Sequence, residues 1–463
     1  MVEKTPTVER DAVPVAQLRA TVKGEVLEPG DAGYDQARTV YLGGMDQRPP
    51  VIVKPVDAAG VAQVIAVARE HDVPLTVKGG GHSIFCLSDE GIVLDVSSLK
   101  DLEIDVEART AWAGAGLTAG EYATATAEHD LVTGFGDTDS VSLGGITVGG
   151  GIGYLVRKHG LSVDSLLAAE VVTADGELRR VDADNEPDLF WAIRGGGGNF
   201  GVLTRLKFRL HPLGNILGGM LFLPGTPEVV AGFVELAKQA PEELSSIVNI
   251  VPCPPMPFVP EDKHGQPIVM AMMVYAGDGE AAEQAIAPFR ALATPYADMI
   301  ESMPYPGVYP PEEEDYHPVA AARNLFVDDI DLETATMILD RIKASTATMP
   351  AVQIRVLGGA LSRVPADETA FAHRHRGIMI NIAAMYEDPA QAEEQTRWAD
   401  EFTAALAKGV PGVYVNFLAD DSKARIHEAY PEATWDRLRS IKATYDPANV
   451  FRHNNNIPPA DQS

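Results

Sequence analysis

Hydrophobic positions in residues 50–97 alternate between extended and helical spacing. The apolar run "PPVIVKP" predicts a strand, and Asp57 then precedes a helix with one apolar face, formed by Val61, Val64, Ile65 and Ala68. Two further apolar runs, "PLTV" and "GIVLDVS", predict strands on either side of the loop "VKGGGHS". The pattern therefore predicts a strand–helix–strand unit whose loop carries three consecutive glycines.

From about residue 100 to 212, short strand-like pieces alternate with glycine clusters. The pieces are "TAWAGAG", "LGGITVGGGIGYL", "EVVTADGELRRV" and "RGGGGNFGVLTRLKFRL". The third of these predicts a β-hairpin in which Asp175 and Gly176 form a two-residue turn.

The pattern changes after His211 and Pro212, where the glycine clusters nearly end. Five strand-like runs follow, namely "GGMLFLPG", "QPIVMAMMVYAG", "AVQIRVLGG", "GIMINIAAMY" and "GVYVNF". Amphipathic helices are predicted between them, near residues 227–240, 279–293, 331–346 and 389–407. This part of the chain therefore predicts a largely antiparallel sheet covered by helices.

Length and composition narrow the function classes. A chain of 463 residues predicts two or three domains. With 37 basic and 66 acidic residues, the net charge of −29 argues against nucleic acid or anionic membranes as partners, since both attract positive proteins. The two cysteines, Cys86 and Cys253, exclude a disulfide framework and a multi-cysteine metal site. Without a secretory or membrane-spanning apolar segment, the sequence predicts a cytoplasmic enzyme with no metal.

Four glycine clusters lie within about 120 residues: Gly79–Gly81, Gly114/Gly116, Gly144–Gly153 and Gly195–Gly201. Backbone N–H groups in glycine turns bind anions, so several clusters together predict a large phosphate-bearing ligand. The two commonest nucleotide loops do not fit. "GAGLTAG" and "GGGIGYL" lack the dinucleotide-binding spacing GxGxxG, and GxxxxGK[ST] is absent. A different large cofactor is therefore indicated.

Four blocks carry a resemblance to a known family. They are "VKGGGHS", "GGITVGGGIGYLVRKHGLSVDSLLAAEVVTADGELRRV", "NEPDLFWAIRGGGGNFGVLTRLKFRLHP" and "YDPANVFRHNNNIPP". In this order they resemble the p-cresol methylhydroxylase-type FAD fold, and within it bacterial members of the berberine bridge enzyme-like branch. The resemblance spans nearly the whole chain.

The resemblance implies an α+β fold in three segments. Residues 45–215 would form a two-part FAD-binding domain, with a small mixed or parallel sheet and a second sheet with helices. Residues 216–417 would form an inserted substrate-binding domain, an antiparallel sheet covered by helices. Residues 418–463 would return to the FAD-binding domain.

The resemblance also implies which residues bind FAD. His82 matches the histidine that is joined covalently to the 8α carbon of the flavin. The full set expected to contact the cofactor is Lys78, Gly79, Gly80, Gly81, His82, Ser83, Val141, Gly144, Gly145, Thr147, Gly149, Gly150, Gly151, Gly153, Val172, Asn454 and Asn456.

Some members of the branch carry a second covalent link, from a cysteine in the pattern GxCxxVGxGG. Here the matching segment is "GDTDSVSLGG", so Thr138 replaces that cysteine and the link to His82 is expected to be the only one. Cys86 is not at the matching position and is predicted to be a buried packing residue. Val141 stands where valine tends to accompany oxidases, although Ser142 replaces the usual glycine beside it.

Oxidation of a C–H bond beside O–H or N–H requires hydride departure toward flavin N5 and removal of the heteroatom proton. Four residues are candidate catalytic residues. Gln353 and Arg355 lie two residues apart on one face of a predicted strand, as do Tyr414 and Asn416. The resemblance gives Tyr414 the role of base or positioning group, and Arg355 is expected to bind a carboxylate or phenolate or to stabilise the reduced flavin.

Other positions carry less specific signals. The acidic residues that a nicotine-oxidising member has on the strand of Arg355 are missing here, which argues against an amine substrate. Ile152 replaces a tyrosine of plant members. Weaker candidates are Tyr154, Arg157 and His159, whereas His373 and Arg374 are expected to be structural.

The function predicted from the sequence is an FAD-linked oxidase. It would dehydrogenate a C–OH or C–N bond of a small molecule, and O₂ would reoxidise the flavin and yield H₂O₂. Two alternatives stay open: a flavin dehydrogenase with another electron acceptor, and an FAD-binding protein with weak activity. A monomer or homodimer is expected.

Overall fold

The computed structural model describes residues 13–309, 316–409, 411–418 and 423–461. Its first eleven strands are β1 (Gly24–Leu27), β2 (Val51–Pro55), β3 (Leu75–Lys78), β4 (Ile92–Asp95), β5 (Leu102–Asp105), β6 (Thr110–Gly114), β7 (Leu131–Val132), β8 (Leu166–Val172), β9 (Leu178–Asp182), β10 (Val202–Arg209) and β11 (His211–Pro212). The remaining strands are β12 (Asn215–Pro224), β13 (Leu244–Pro252), β14 (Pro267–Tyr275), β15 (Ala297–Asp298), β16 (Glu301–Pro304), β17 (Ala320–Val327), β18 (Met349–Val356) and β19 (Ile378–Met385).

The helices connect and cover these strands. They are α1 (Val15–Thr21), α2 (Tyr34–Ala37), α3 (Ala58–Glu70), α4 (Ala119–Ala127), α5 (Leu143–Val148), α6 (Val156–His159), α7 (Pro187–Ala192), α8 (Pro227–Gln239), α9 (Glu280–Arg290), α10 (Leu332–Lys343), α11 (Ala360–Arg363), α12 (Ala392–Leu406), α13 (Lys423–Ala429) and α14 (Glu432–Tyr445). Short 3₁₀ turns occur at Ser162–Asp164, Glu261–Lys263, Tyr305–Val308, Pro389–Gln391 and Val415–Phe417.

The first sheet has the order β1-β2-β4-β3, with β4 parallel to both β2 and β3. Helix α3 makes the crossover, and the Asp57 carboxylate caps it by accepting a hydrogen bond of 2.9 Å from the Gly60 N–H. The predicted apolar face of α3 is buried. The strand–helix–strand prediction is therefore confirmed.

The second sheet is antiparallel, in the order β5-β6-β10-β8-β9. The predicted hairpin β8–β9 is present, but its two-residue turn is wrong. Val172 pairs with Leu178, and the connection is the five-residue loop 173–177. The Asp175 carboxylate accepts hydrogen bonds from the Thr173 hydroxyl and the Glu177 N–H, which stabilises this wider loop.

The third sheet is antiparallel and runs β15-β12-β14-β13-β18-β19-β17, with β16 also paired to β12. Helices α8, α9, α10 and α12 cover one face, as predicted. Strands β13 and β17 were not among the predicted strands. Conversely, "GVYVNF" is wrong as a strand, because Val415–Phe417 form a 3₁₀ turn after Tyr414.

The α+β class and the three larger sheets agree with the predicted fold, and β7 and β11 form an additional two-stranded antiparallel sheet. The first two sheets lie within residues 24–209 and the third within residues 215–385, while the division into domains stays a prediction. No helix in the described part of the chain is long and apolar enough to span a membrane. Those residues also contain no group of three or more His, Cys, Asp or Glu side chains placed to hold a metal ion.

Candidate active site

The loop that follows β3 begins at a buried ion pair. The Lys78 ammonium lies 2.8 Å from the Asp95 carboxylate on the neighbouring strand β4. The Gly80 N–H then donates a hydrogen bond of 2.9 Å to the Ser142 hydroxyl. A methyl group on Gly80 would lie 2.7 Å from the Ser140 carbonyl oxygen, so only glycine allows this close approach. The loop is therefore held tightly against residues 140–142.

Two contacts orient the ring of His82. Its Nε2 lies 2.8 Å from the Ser140 Oγ, and the ring stacks on Tyr41 with centroids 4.6 Å apart. Tyr41 is itself attached to the loop, because its N–H donates to the Gly81 carbonyl. The Ser83 hydroxyl accepts a hydrogen bond from the Phe85 N–H, which forms a turn directly after the loop. The imidazole thus has a defined position at the end of the glycine loop.

The glycine run 144–153 forms helix α5 and the loop after it, rather than the strand-like piece predicted. A methyl group on Gly149 would lie 1.9 Å from Asn416 Oδ1, and one on Gly151 would lie 2.1 Å from Ser162 Oγ. Gly151 also has φ of +84°, which side chains disfavour. The run must therefore be glycine-rich for its backbone to approach other segments closely.

The C-terminal segment reaches a third glycine loop, residues 195–201. The buried Lys442 ammonium donates to the Asn199 carbonyl, the Asp446 carboxylate and the Phe451 carbonyl. Asn454 then donates through Nδ2 to the Gly198 carbonyl at 2.9 Å. Residues 453–456 are thereby fixed beside the glycine loops. We call residues 79–83, 144–153, 195–201 and 453–456 the cradle.

Several buried polar atoms of the cradle have no hydrogen-bond partner among the described residues. They are Thr147 Oγ1, His453 Nε2, Asn454 Oδ1, Asn455 Oδ1 and Asn456 Oδ1. Buried polar groups in folded proteins are nearly always paired, so this clustering indicates a polar ligand. Glycine-turn N–H groups suit a diphosphate, and the amides suit a heterocycle. The residues present therefore fit FAD.

The remaining predicted cofactor residues lie in strand β8, beside residue 142 and at the two ends of the run 144–153. Val172 ends strand β8 and pairs with Val202 and Leu178. The Val141 carbonyl accepts a hydrogen bond from the Ala119 N–H. Gly144 and Gly145 start helix α5, and Gly153 packs against the carbonyl oxygens of residues 135 and 136. Their contacts with a cofactor stay predictions.

Tyr414 and Asn416 lie together although they are not on a strand. The Tyr414 hydroxyl accepts hydrogen bonds from the Gly151 N–H at 3.0 Å and from Asn416 Nδ2 at 2.9 Å. The Ile152 N–H lies 3.4 Å from the same oxygen. Burial raises the pKa of the Tyr414 hydroxyl, while these donors oppose that shift. The phenol is therefore buried and protonated at neutral pH, directly against the glycine run.

Arg355 is paired within the protein, and its expected contact with a carboxylate, a phenolate or the reduced flavin stays a prediction. Its guanidinium donates to the Asp137 carboxylate at 2.7 Å, to Gln353 Oε1 at 2.8 and 3.0 Å, and to the Ile152 carbonyl at 3.1 Å. The charge of this buried arginine is therefore already compensated. The sequence reasoning missed Asp137, and the only available signal was an acidic residue beside Thr138 in "GDTDS".

Three buried tyrosines surround this ion pair. Burial raises the pKa of Tyr154, Tyr305 and Tyr309, and the Asp137 charge raises that of Tyr154 and Tyr309 further. All three phenols therefore stay protonated at neutral pH. The Arg355 side chain of the ion pair is 3% exposed, whereas that of Asp137 is 22% exposed.

Family comparisons agree with this geometry. The family described as "FAD binding domain" matches residues 49–182, and the one described as "Berberine and berberine like" matches residues 413–458. (R)-6-hydroxynicotine oxidase of Paenarthrobacter nicotinovorans is 30% identical over 459 residues, which cover 95% of this chain and 97% of that protein. The chain belongs to the berberine bridge enzyme-like family of FAD-linked oxidoreductases.

Solved structures support the same assignment. 6-Hydroxy-D-nicotine oxidase from Arthrobacter nicotinovorans is 26% identical and superposes with a TM-score of 0.84, covering 94% of this chain and 98% of that one. A chitooligosaccharide oxidase shares the fold at 22% identity, with a TM-score of 0.83 and coverage of 97% and 100%. The chain is therefore an enzyme of the FAD-linked oxidoreductase class.

Two of the weaker candidates, Arg157 and His159, make structural contacts, and so do His373 and Arg374, which were expected to be structural. Arg157 donates to the Leu357 and Ala240 carbonyls. His159 stacks on His211, with centroids 4.0 Å apart. Arg374 pairs with the Asp164 carboxylate at 2.7 and 2.8 Å, and His373 contacts the Glu428 carbonyl. These side chains join neighbouring segments rather than project into the cradle.

Proposed function

We propose that this FAD-linked oxidoreductase is an oxidase. It dehydrogenates a C–OH or C–N bond of its small-molecule substrate, and O₂ is the electron acceptor. One observation carries the proposal: a buried phenol, that of Tyr414, joins the glycine run to the face of the third sheet opposite helices α8, α9, α10 and α12. The name of the relative (R)-6-hydroxynicotine oxidase and the valine at position 141 also support an oxidase.

The cradle residues would hold FAD. The loop Lys78–Ser83 and the glycines of the run 144–153 would bind the diphosphate, Val172 would lie along the adenine side, and Asn454 and Asn456 would close over the flavin. FAD held there would supply a hydride acceptor at N5 and the means to reduce O₂ to H₂O₂.

We propose that His82 forms a covalent bond to the flavin and that it is the only residue to do so. Thr138 offers no thiol at the second position. Cys86 is buried, and burial raises the pKa of its thiol to about 11, so little reactive thiolate is present.

The covalent bond is tested by acid precipitation. Flavin should remain with the precipitated parent protein and with a Cys86→Ser control, but should pass into the supernatant from His82→Ala. Flavin that stays with the precipitated His82→Ala chain would contradict the proposal.

The candidate catalytic residues would accept the substrate proton and orient the reacting group of the substrate. Tyr414 would accept the substrate proton or position the reacting group, and Asn416 would hold the phenol through its amide. Arg355 and Gln353 would form the polar wall beside them. The domain division at residues 215 and 417, the monomeric or homodimeric state and the cytoplasmic location stay predictions.

Oxidase and dehydrogenase are distinguished by reoxidation. The flavin of the holoenzyme is reduced anaerobically, and the protein is then mixed with air-saturated buffer while the absorbance is followed. We expect reoxidation within the time of rapid mixing to a few seconds. Reoxidation over minutes would favour the dehydrogenase with another acceptor.

A further inference from the structure

Four amide side chains form a row across the third sheet. Asn249 on β13 pairs with Gln353 on β18, Gln353 with Asn381 on β19, and Asn381 with Asn324 on β17. Directly paired residues of an antiparallel sheet point to the same face. The residues that alternate with them belong to the core under the helices, so the amide row lies on the other face, with Arg355.

The Asp137–Arg355 ion pair fixes the direction of the first two amides. Arg355 donates twice to Gln353 Oε1, which makes this oxygen an acceptor. Gln353 Nε2 then donates to Asn249 Oδ1 at 3.2 Å. Because each amide has one acceptor oxygen and one donor nitrogen, Asn249 is left with Nδ2 as its outer group. The chain from Asp137 to Asn249 therefore ends in an N–H donor.

The other end of the amide row differs in its hydrogen bonding. Both side-chain polar atoms of Asn324 have a partner, since Oδ1 accepts from the Tyr414 N–H at 2.6 Å and Nδ2 donates to the Phe417 carbonyl. Asn381 Oδ1 is buried and lacks a partner within the described residues. Gln353 therefore lies between the Nδ2 donor of Asn249 and the Oδ1 acceptor of Asn381, which has no partner among the described residues.

Small side chains lie next to the amide row. Two residues before Gln353 is Ala351, which pairs with Ala383, and Ala383 pairs with Ala322. These three alanines share the face of the amides because their positions differ by two residues. A ligand group lying over the alanines would therefore meet the amides from the side.

We propose that Asn249, Gln353 and Asn381 determine substrate specificity by binding an uncharged hydroxyl or carbonyl group, and that Asp137 positions them through Arg355. Arg355 is neutralised by Asp137, so this wall carries no net charge that would select an ammonium or a carboxylate group. The inference rests on the proposed function, because it places the substrate over this wall.

Ligand binding to the holoenzyme tests the proposal. Benzyl alcohol, benzylamine and benzoate are similar in size but are neutral, cationic and anionic at neutral pH. Each is titrated anaerobically while the flavin absorbance spectrum is recorded. We expect the parent to bind benzyl alcohol about tenfold more tightly than either charged probe, a difference of about 1.4 kcal/mol.

Two variants should shift this preference in opposite directions. Asn249→Asp replaces the outer donor by a carboxylate, so its benzylamine-to-benzyl alcohol affinity ratio should rise about tenfold. Asp137→Asn leaves Arg355 uncompensated, so the benzoate-to-benzyl alcohol ratio should rise by a similar factor. A purely structural role of Asp137 would weaken all three probes equally.

The matched control is Asn215→Asp, which makes the same change at an exposed position of strand β12 in the same sheet, where β12 pairs with β16. Its affinity ratios should equal those of the parent. The proposal is overturned if the parent prefers a charged probe, if benzyl alcohol does not perturb the spectrum, or if the Asn249 and Asp137 variants behave like the control. Protein that purifies without flavin would instead refute the proposed function.

Discussion

The cradle and the amide-bearing face of the third sheet differ in how their polar atoms are satisfied. In the cradle, Thr147 and residues 453–456 present buried atoms without partners in the described structure. On the sheet face, Arg355 and Tyr414 have their polar groups bonded within the protein. The cradle therefore has buried polar atoms for a ligand to pair. On the amide-bearing sheet face, which we call the facing wall, most polar groups are already hydrogen-bonded within the protein.

This difference has an energetic consequence. A buried polar group without a partner costs about 1–3 kcal/mol, so a ligand that pairs several such groups should stabilise the cradle. Breaking a bond of the facing wall should instead reduce stability whether or not the cofactor is bound. Substitutions in the two regions should therefore differ in how strongly their effects depend on FAD.

The largest expected effect follows from Gly80→Ala. The added methyl group would meet the Ser140 carbonyl oxygen and the Ser142 nitrogen, both of them backbone atoms. Moving the loop costs about 1–3 kcal/mol and separates it from residues 140–142. We expect flavin content to fall at least about tenfold, measured as the ratio of visible to ultraviolet absorbance of the purified protein.

Gly214→Ala is the matched control for this substitution. A methyl group on Gly214 would have only Asp130 Oδ1 near it, at 3.9 Å. The control should therefore retain the flavin content of the parent. If Gly80→Ala retains it as well, the loop is not the tight cofactor contact that its geometry indicates.

A second test, Tyr414→Phe, addresses the facing wall. It removes the acceptor of the Gly151 N–H and of the Asn416 amide, so unfolding should require about 1–3 kcal/mol less even without FAD. As a base, the phenol must lose its proton, and burial holds its pKa above the usual value of 10. The parent's rate of flavin reduction should thus rise with pH toward the alkaline range.

The Tyr414→Phe enzyme should lack this alkaline rise and be slower by about 100-fold or more in single-turnover measurements. Tyr122→Phe serves as control, because Tyr122 is buried against Thr133 instead. It should lose stability but keep the pH profile of the parent. An unchanged alkaline rise in Tyr414→Phe would restrict Tyr414 to positioning.

The smallest expected effect concerns the stacked pair His159 and His211. His159 ends helix α6, and His211 begins strand β11. Burial, together with the charges of His211 and Lys158, lowers the pKa of His159 to about 3, and burial together with the Arg209 charge lowers the pKa of His211 to about 4. Because these folded-state values lie below 6.5, both rings stabilise the fold above pH 6.5. This stabilisation is lost as the pH falls toward 4.

His211→Gln removes one of the two titrating rings. The melting temperature of the variant should therefore fall less between pH 6.5 and 4 than that of the parent, by about 2–4 °C. His129→Gln, at an exposed position, should follow the parent. Equal slopes for His211→Gln and the parent would show that the stacked pair does not contribute to acid sensitivity.

Local sequence signals predicted local structure well. Asp57 caps α3 and the apolar face of that helix is buried, because capping and periodicity act within a few residues. "GVYVNF" has the alternation of a strand, yet Asn324 binds the Tyr414 N–H and the Phe417 carbonyl and holds a turn instead. That competition depends on a residue 90 positions away.

The site was predicted unevenly for the same reason. Glycine clusters and family blocks indicated the cradle, since its backbone requirements appear in the sequence itself. The Asp137–Arg355 contact joins residues 218 positions apart, and the amide row depends on the register of four strands. Neither leaves a local pattern, so both required the three-dimensional structure.

The attachment of Lys442 to the Asn199 carbonyl has a consequence for biosynthesis. Residues 442–456 leave the ribosome after both β3 and the third sheet, yet they complete one wall of the cradle. We therefore expect FAD to bind only after residues 442–456 have been synthesised and have reached the cradle.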